Sequence, residues 1–332
     1  MEKLVYEREH PEPKLGEREV RVGIRATTVN RIDFFVREGY PGVQIRFPHI
    51  PGADIAGVVE DVGPQVQSFH KGDRVMAWPL QACGTCELCR RGRRGLCLQW
   101  KYFGLHVDGS YAEYISVPEE GLISIPQSVT FEQAATLPVA GLTAYHALVT
   151  VGQVQTGETV LIWGGSGGLG TFAVQIGRLL GARVIATVGR DEKRGRIEHL
   201  GADLVLNHHT DDVLWAVNEF THGNGVEVVL DSVGAQTFPK GFQLLQKGGR
   251  LILCGKLTGM DVPLSLHQTY LRHISILGVY LGEKHELQAL LRWVEEGKIQ
   301  PIIARRFALQ DASEAHRVMA SGDYVGKLVL LP

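Results

Sequence analysis

Apolar and polar residues alternate from Glu19 to Val29 in EVRVGIRATTV, the period-two pattern of a half-buried β-strand. DFFVREG then reads as a short helix stopped by Gly39. IAGVVEDVG, from Ile55 to Gly63, reads as a strand entering a Gly-Pro turn, GDRVMA as another strand, and SYAEYISVP, from Ser110 to Pro118, as one more. This is a β-rich, turn-rich opening region. The pattern changes near Thr130. FEQAATLPVAGLTAYHALVTVG has helical spacing with a break at Pro138. From Thr159 the short apolar runs TVLIWGG, RVIATVG, DLVLN, VEVVLDSV, RLILCG and ISILGVY are mostly separated by helical stretches. A continuous apolar run suits a strand buried on both faces, and strand–helix alternation predicts a parallel, doubly wound α/β sheet. HELQALLRWVEEG and GKLVLLP supply a closing helix and strand. The expected organisation is a β-rich domain over residues 1–130, a doubly wound domain over 131–281, and a segment over 282–332 that returns to the first domain.

The first buried strand runs into Gly165-Ser166-Gly167-Gly168-Leu169-Gly170, which fits G-x-G-x-x-G. Placed between a strand and a helix, the motif predicts a dinucleotide site. The first glycine permits the turn, the second lets a pyrophosphate approach the backbone, and the third lets helix and strand pack closely. The helix N-terminus adds free N–H groups and partial positive charge. A plain tight turn is the alternative. The next strand, ARVIATVGRDEK, bears on which dinucleotide binds. An acid at its end would hold the ribose 2′-hydroxyl of NAD, but Val188 and Gly189 stand there, followed by Arg190 and Lys193. Two cations beside a small residue suit a 2′-phosphate, so NADP(H) is expected. Asp191 falls later, where an acid is expected for helix capping.

Composition changes the picture only by exclusion. Across 332 residues the chain is 44% hydrophobic and 21% charged, with a net charge of −2, so no basic surplus points to nucleic acid. MEKLVYEREH has no apolar signal core, and no apolar run is long enough to cross a bilayer. A soluble, cytoplasmic protein acting on a small molecule is expected. The cysteines add more. Cys83, Cys86, Cys89 and Cys97 form C-x2-C-x2-C-x7-C, three thiols on one tight loop and a fourth to close a tetrahedron. Four thiolates with no open position describe a structural zinc site, with an iron–sulfur cluster as the rival and disulfides less suited to a chain without a secretory signal. Arg90, Arg91, Arg93 and Arg94 either offset the site's negative charge or form solvated surface. Cys254, on a buried strand, is expected to be inert.

A β-rich domain, a four-cysteine loop, a GGSGGLG turn and a return segment together resemble the medium-chain dehydrogenase/reductases over nearly the whole chain. The resemblance implies a GroES-like catalytic domain, a Rossmann domain and a homodimer or homotetramer. It also implies an opening strand before LVYEREHPEP that this sequence lacks. Zinc alcohol dehydrogenases of this family hold a second, catalytic zinc. At the three ligand positions this chain has Asn30, Ala53 and Val139, and at the proton-relay hydroxyl it has Ile32. Without a Lewis acid, zinc-type alcohol oxidation loses its main electrostatic support. VNRID instead resembles the N-x-x-D segment of quinone oxidoreductases and enoyl reductases.

That branch implies hydride transfer from NADPH to a quinone or an α,β-unsaturated carbonyl, with the protein orienting the partners and excluding water. Tyr40 in REGYPG is the candidate donor to the developing negative charge. By the resemblance, Asn30 contacts the cofactor ribose or the substrate, Thr143 lies against the nicotinamide, and His208 contacts the 2′-phosphate. Three alternatives stay open. One is an alcohol or aldehyde dehydrogenase working without zinc. Another uses a metal rebuilt on His49, Asp33 or Asp54. The third is a low-turnover NADPH-binding protein with a structural role.

Overall fold

A computed structural model describes residues 4–332. They divide into two compact units, one ending at Leu142 and resuming over Glu283–Pro332, the other Thr143–Gly282. The first unit opens with β1 (Glu19–Thr28), α1 (Arg31–Glu38), β2 (Ala56–Val62), β3 (Arg74–Ala77), β4 (Leu80–Gln81), β5 (Lys101–Tyr102), β6 (Tyr114–Pro118) and β7 (Leu122–Ser124). The second contains β8 (Thr159–Trp163), α2 (Gly168–Leu179), β9 (Arg183–Val188), α3 (Arg194–His199), β10 (Leu204–Asn207), α4 (Val213–Phe220) and β11 (Val226–Asp231). It continues through α5 (Phe238–Leu244), β12 (Leu245–Leu253), α6 (Leu266–Leu271) and β13 (Ser275–Gly278). The return segment adds α7 (Lys284–Glu295), β14 (Ile303–Ala308), α8 (Ala312–Ser321) and β15 (Lys327–Leu331).

In the first unit the strands run in the order β14-β15-β1-β2-β3-β7, with β6 also paired to β1. β1 is long enough to serve two neighbourhoods. Its first half pairs with β2 and β6, and Thr27 and Thr28 pair with Leu330 and Val329 of β15. The alternation of EVRVGIRATT turns Val20, Val22 and Ile24 into one core with Ile55, Val59 and Val75. A second cluster joins Val29 and Tyr111 to Leu309, Ala315, Val318 and Leu328.

Two expectations change here. The strand expected over 110–118 begins only at Tyr114. Ser110 and Tyr111 instead donate their backbone N–H groups to Gly52 and Pro51 carbonyls at 3.0 and 2.9 Å. The approach is so close that a Cβ on Gly52, whose φ is +99°, would lie 2.4 Å from the Tyr111 ring. The helical run from Phe131 does break at Pro138, where a π-helical stretch, Leu137–Gly141, begins. Residues 131–142, expected with the second domain, pack in the first. Glu132 pairs with Arg306 at 2.7 Å, Arg74 lies over the Phe131 ring, and Val139 N–H donates to Asp54 at 3.0 Å. The helical spacing is continuous across Leu142, so it carries no mark of the division.

The second unit is a six-stranded sheet in the order β10-β9-β8-β11-β12-β13, every pair parallel. The chain starts at β8, winds outward through β9 and β10, then crosses to β11. The strand order therefore reverses beside the carboxyl end of β8, the place where doubly wound sheets bind ligands. Leu161, Ile185, Val229, Leu251 and Phe238 fill one side of the sheet.

Candidate active site and metal centre

The four cysteines of the loop come together. All four Sγ atoms lie within 4.8 Å of one another, with Cys83–Cys89 at 3.9 Å and Cys86–Cys97 at 4.0 Å. Four sulfurs held at roughly 2.3 Å from a central zinc stand about 3.8 Å apart, so the geometry fits a zinc tetrathiolate. Backbone N–H groups already point at the sulfurs. Cys83 and Gln99 donate to Cys97 Sγ, and Cys86 donates to Cys83 Sγ, at 3.2 to 3.4 Å. Bonds from Cys86 and Thr85 pull the Cys83 thiol down to about 6, while burial pushes Cys89 up to about 12. A metal's charge would overcome that burial. Arg91 pairs with Glu87 and Arg94 with Glu120, so two of the loop arginines face carboxylates. Burial also pushes Cys254 up to about 12.

At the glycine turn, the positive φ falls on Gly164 (+79°), one residue before the fingerprint. Gly165 and Gly170 are required by packing: a Cβ on the first would sit 2.8 Å from Ala186 Cβ, and one on the last 2.2 Å from the Gly164 carbonyl. Gly167 differs. It caps the 12-residue α2, and nothing stands nearer than 3.6 Å to its Cβ position. The protein's own packing does not require glycine there, and the space lies at a helix N-terminus, where phosphate groups are favoured. Ser166, Gly168 and Leu169 are half-buried in the same turn. Thr143 is 7% exposed and belongs to the helical turn Leu142–Tyr145.

Beyond β9, Arg190 is exposed and Lys193 is buried. Asp191 is held by its neighbours through one oxygen. Its Oδ1 accepts from Asn207 Nδ2 at 3.0 Å and from Arg194 Nε at 2.9 Å, which keeps its carboxyl below the usual range. The His208 and His209 rings meet at a tilt of 51°, centroids 4.2 Å apart, and both lie beside Gly189. Burial, with help from His209, Lys240 and Lys193, holds His208 below its ordinary value. Its Nδ1 is buried without a hydrogen-bond partner among the described residues. A buried polar atom left unpaired costs about 1–3 kcal/mol unless a ligand or water satisfies it, so this corner fits a polar group on an incoming nucleotide.

The positions that the resemblance assigns to a catalytic metal also converge. Asn30 Nδ2 and Val139 N–H donate to the two oxygens of one carboxylate, Asp54, at 2.7 and 3.0 Å, and Ala53 is its chain neighbour. An ammonium fills the corner. Lys327 Nζ donates to Asn30 Oδ1 at 2.5 Å and Val29 O at 3.1 Å, and stands 3.4 Å from Asp54 Oδ2. Thr28 Oγ1 donates to the same carboxylate oxygen. Both Asp54 and Lys327 are buried. Asn30 Nδ2 also reaches Thr28 O at 3.4 Å, so both ends of its carboxamide are engaged by the protein. Asp33 is bound to Asn30 N–H and Tyr111, and His49 stands beside Asp108 at 3.4 Å. Among the described residues, the four cysteines form the one group of three or more metal-type ligands within mutual reach.

Tyr40 is half-buried in the loop after α1, and its carbonyl accepts from Val43 N–H at 3.1 Å. The loop borders a cleft of about 480 Å³ lined by Val36, Arg37, Glu38, Gly39, Val43, Ile45 and Phe47. Sequence reasoning missed Lys327, Tyr111 and His316. For Lys327 there was a signal: a lysine opening the apolar run KLVLL needs a buried partner.

Comparison with known proteins identifies the family. Residues 16–127 match the alcohol dehydrogenase GroES-like domain, and residues 168–296 match the zinc-binding dehydrogenase family. An alcohol dehydrogenase of Geobacillus stearothermophilus is 35% identical, covering 97% of this chain and 95% of its own length. A human quinone oxidoreductase is 29% identical over 97% of this chain and 91% of its own. The solved structure of an NAD-dependent alcohol dehydrogenase superposes with a TM-score of 0.92 at 37% identity, covering 98% of this chain and 95% of that one. The chain belongs to the medium-chain dehydrogenase/reductase superfamily, of the zinc-type alcohol dehydrogenase-like kind. Within that class it is an oxidoreductase.

Proposed function

We propose that the protein is an NADPH-dependent reductase of quinones or α,β-unsaturated carbonyls that keeps a structural zinc and uses no catalytic metal. The observation that carries this reading is the corner of Asn30, Ala53 and Val139. It offers no thiolate or imidazole, and Asp54 and Lys327 neutralise each other there. NADPH, when bound, would supply the hydride. The chain's own residues bind and orient. Gly167 and the start of α2 leave room for a pyrophosphate, and Arg190, Lys193 and His208 favour a 2′-phosphate where Asp191 is already engaged. The apolar side chains of Val36, Val43, Ile45 and Phe47, which line the cleft with Arg37 and Glu38, suit a flat, electron-poor acceptor, and Tyr40, in the adjoining loop, is assigned as the donor to its oxygen. Asn30 acts by placing Asp54 and Lys327, since its carboxamide is bound on both sides. Cys83, Cys86, Cys89 and Cys97 hold one zinc that shapes the loop.

The relatives named as alcohol dehydrogenases support a second reading, NAD-dependent alcohol oxidation. A screen of enones, quinones, aldehydes and alcohols with both cofactors separates the two. Tighter binding of NADPH and turnover of an enone or quinone support the reductase. A clear preference for NADH with turnover of alcohols alone removes it, and cofactor binding without turnover of any acceptor leaves a binding protein. Tyr40→Phe should slow reduction while leaving NADPH affinity unchanged, because its hydroxyl matters as charge develops. Parent-like turnover would take Tyr40 out of the chemistry.

We further propose a homo-oligomer built along β13. That strand is one of the two edges of the second sheet, and exposed Leu257, Met260, Leu266, Tyr270, Leu271 and Tyr280 flank it in the chain. An open apolar edge is a template for pairing. Leu266→Glu should lower the mass measured by light scattering, and an unchanged monomer mass in both proteins would remove the proposal.

A further inference from the structure

Arg37, His316, Tyr111 and Asp33 form one line of hydrogen bonds in the first unit that the reductase reading does not use. Arg37 Nη1 lies 3.1 Å from His316 Nδ1, and His316 Nε2 lies 3.1 Å from Tyr111 Oη. Tyr111 Oη donates to Asp33 Oδ2 at 3.0 Å, and the same oxygen accepts Asn30 N–H at 2.8 Å. Asp33, Tyr111 and His316 are buried, and the Phe34 ring stacks on His316 at 4.7 Å. The direction of the line is forced. A guanidinium only donates, so His316 Nδ1 must accept and its proton sits on Nε2. That N–H donates to Tyr111 Oη, whose own proton is then free for Asp33.

We propose that Arg37, His316 and Tyr111 are positioning residues that set the charge of Asp33 and, through its bond to Asn30, the placement of the Asn30–Asp54–Lys327 corner. The coupling to turnover rests on the reductase reading; the titration of the line does not. A proton on Asp33 weakens Oδ2 as the acceptor shared by Tyr111 and Asn30, because a neutral carboxyl accepts more weakly than a carboxylate. Donation from the Arg37 guanidinium polarises the His316 and Tyr111 bonds in turn and strengthens the one that ends on the carboxylate. Arg37 therefore favours the ionised carboxylate from two side chains away, and burial favours the neutral acid. The ionisable groups acting directly on Asp33 are Tyr111 before β6, Asp54 before β2 and Lys327 on β15; His316 on α8 and Arg37 on α1 reach it only through Tyr111. Burial pushes Asp33 up to about 7 against the pull of Asn30, Tyr111 and Lys327, so the switch falls near neutrality. Burial also holds His316 down to about 4, so it stays neutral.

The test follows the backbone amide of Asn30 by NMR in ligand-free protein labelled with 15N-asparagine, across pH. The amide should titrate with a midpoint near 7, flat in Asp33→Asn and raised by about one pH unit in His316→Phe, which keeps the stacking on Phe34 but removes both nitrogens. Arg37→Gln should move the midpoint the same way. kcat/KM for an enone with NADPH should share the parent midpoint and shift with it in His316→Phe. A His316→Phe protein that melts earlier but keeps the parent midpoint has lost only a brace, and the relay is wrong. A moved amide midpoint with an unmoved kcat/KM profile refutes the coupling. If no enone or quinone is turned over, the reductase reading fails, and the relay is decided by the amide alone.

Discussion

The cysteine loop and the Asn30–Asp54–Lys327 corner lie in the same compact unit, and both are places where zinc alcohol dehydrogenases hold metal. The loop keeps every ligand. Its sulfurs stand at tetrahedral spacing, and backbone N–H groups point at them. The corner has replaced its ligands with a carboxamide, a methyl and an isopropyl group, and an ammonium fills it. A closed thiolate site contributes folding energy whatever reaction the enzyme runs, whereas a catalytic ion is retained only where its chemistry is needed. The contrast therefore separates what holds the unit together from what it does.

The largest effect should come from the loop. Cys97→Ser removes a buried ligand and should cost on the order of 5 kcal/mol, read by denaturant unfolding with loss of bound zinc. A variant that keeps parent stability would show that the loop folds without metal. At the corner, Lys327→Met leaves Asp54 buried without its counter-charge and should cost about 3–5 kcal/mol. Its zinc content should stay at the parent value, as the metal-free reading of the corner requires. Arg190→Ala should weaken NADPH by about 1.5–3 kcal/mol, tenfold or more, and leave NADH alone. Equal losses for both cofactors in a titration would move the 2′-phosphate contact elsewhere.

The smallest effect is a slope. Asp33 is raised from its ordinary 3.8 to about 7, so the stability it contributes is full below pH 4 and is lost as pH rises toward 7. His316 is lowered from 6.5 to about 4, so its contribution is full above 6.5 and is lost as pH falls toward 4. Between about pH 4 and 6.5 the two oppose each other. His316→Phe removes one side, and its stability should fall with rising pH by about 1.4 kcal/mol per unit relative to the parent. Parallel stability curves for the two proteins would contradict the opposition.

Much of this was legible in the chain because it is local. The six apolar runs after Thr159 became the six strands of the parallel sheet. The cysteine spacing and the glycine turn each lie within a few residues. Gly164 escaped notice because the motif marks close approaches, and the positive φ falls just before it. Ser110 and Tyr111 continue a β pattern, yet the Pro51–Gly52 turn takes their backbone. The relay could not be read from the sequence: Tyr111 and His316 are 205 positions apart, and neither residue type announces a partner. The absent metal ligands were visible at Asn30, Ala53 and Val139, but the ammonium that fills their place comes from the last strand.

The central claim is one structural metal and metal-free hydride transfer. Its most direct test is elemental analysis of protein purified without added metal, before and after exhaustive chelation, with NADPH-dependent turnover of an enone or quinone followed on the same samples. One zinc per chain, retained until unfolding, with turnover unchanged by the chelator, is the expected result. A second metal that the chelator removes together with the activity would contradict it and restore a metal-assisted dehydrogenase.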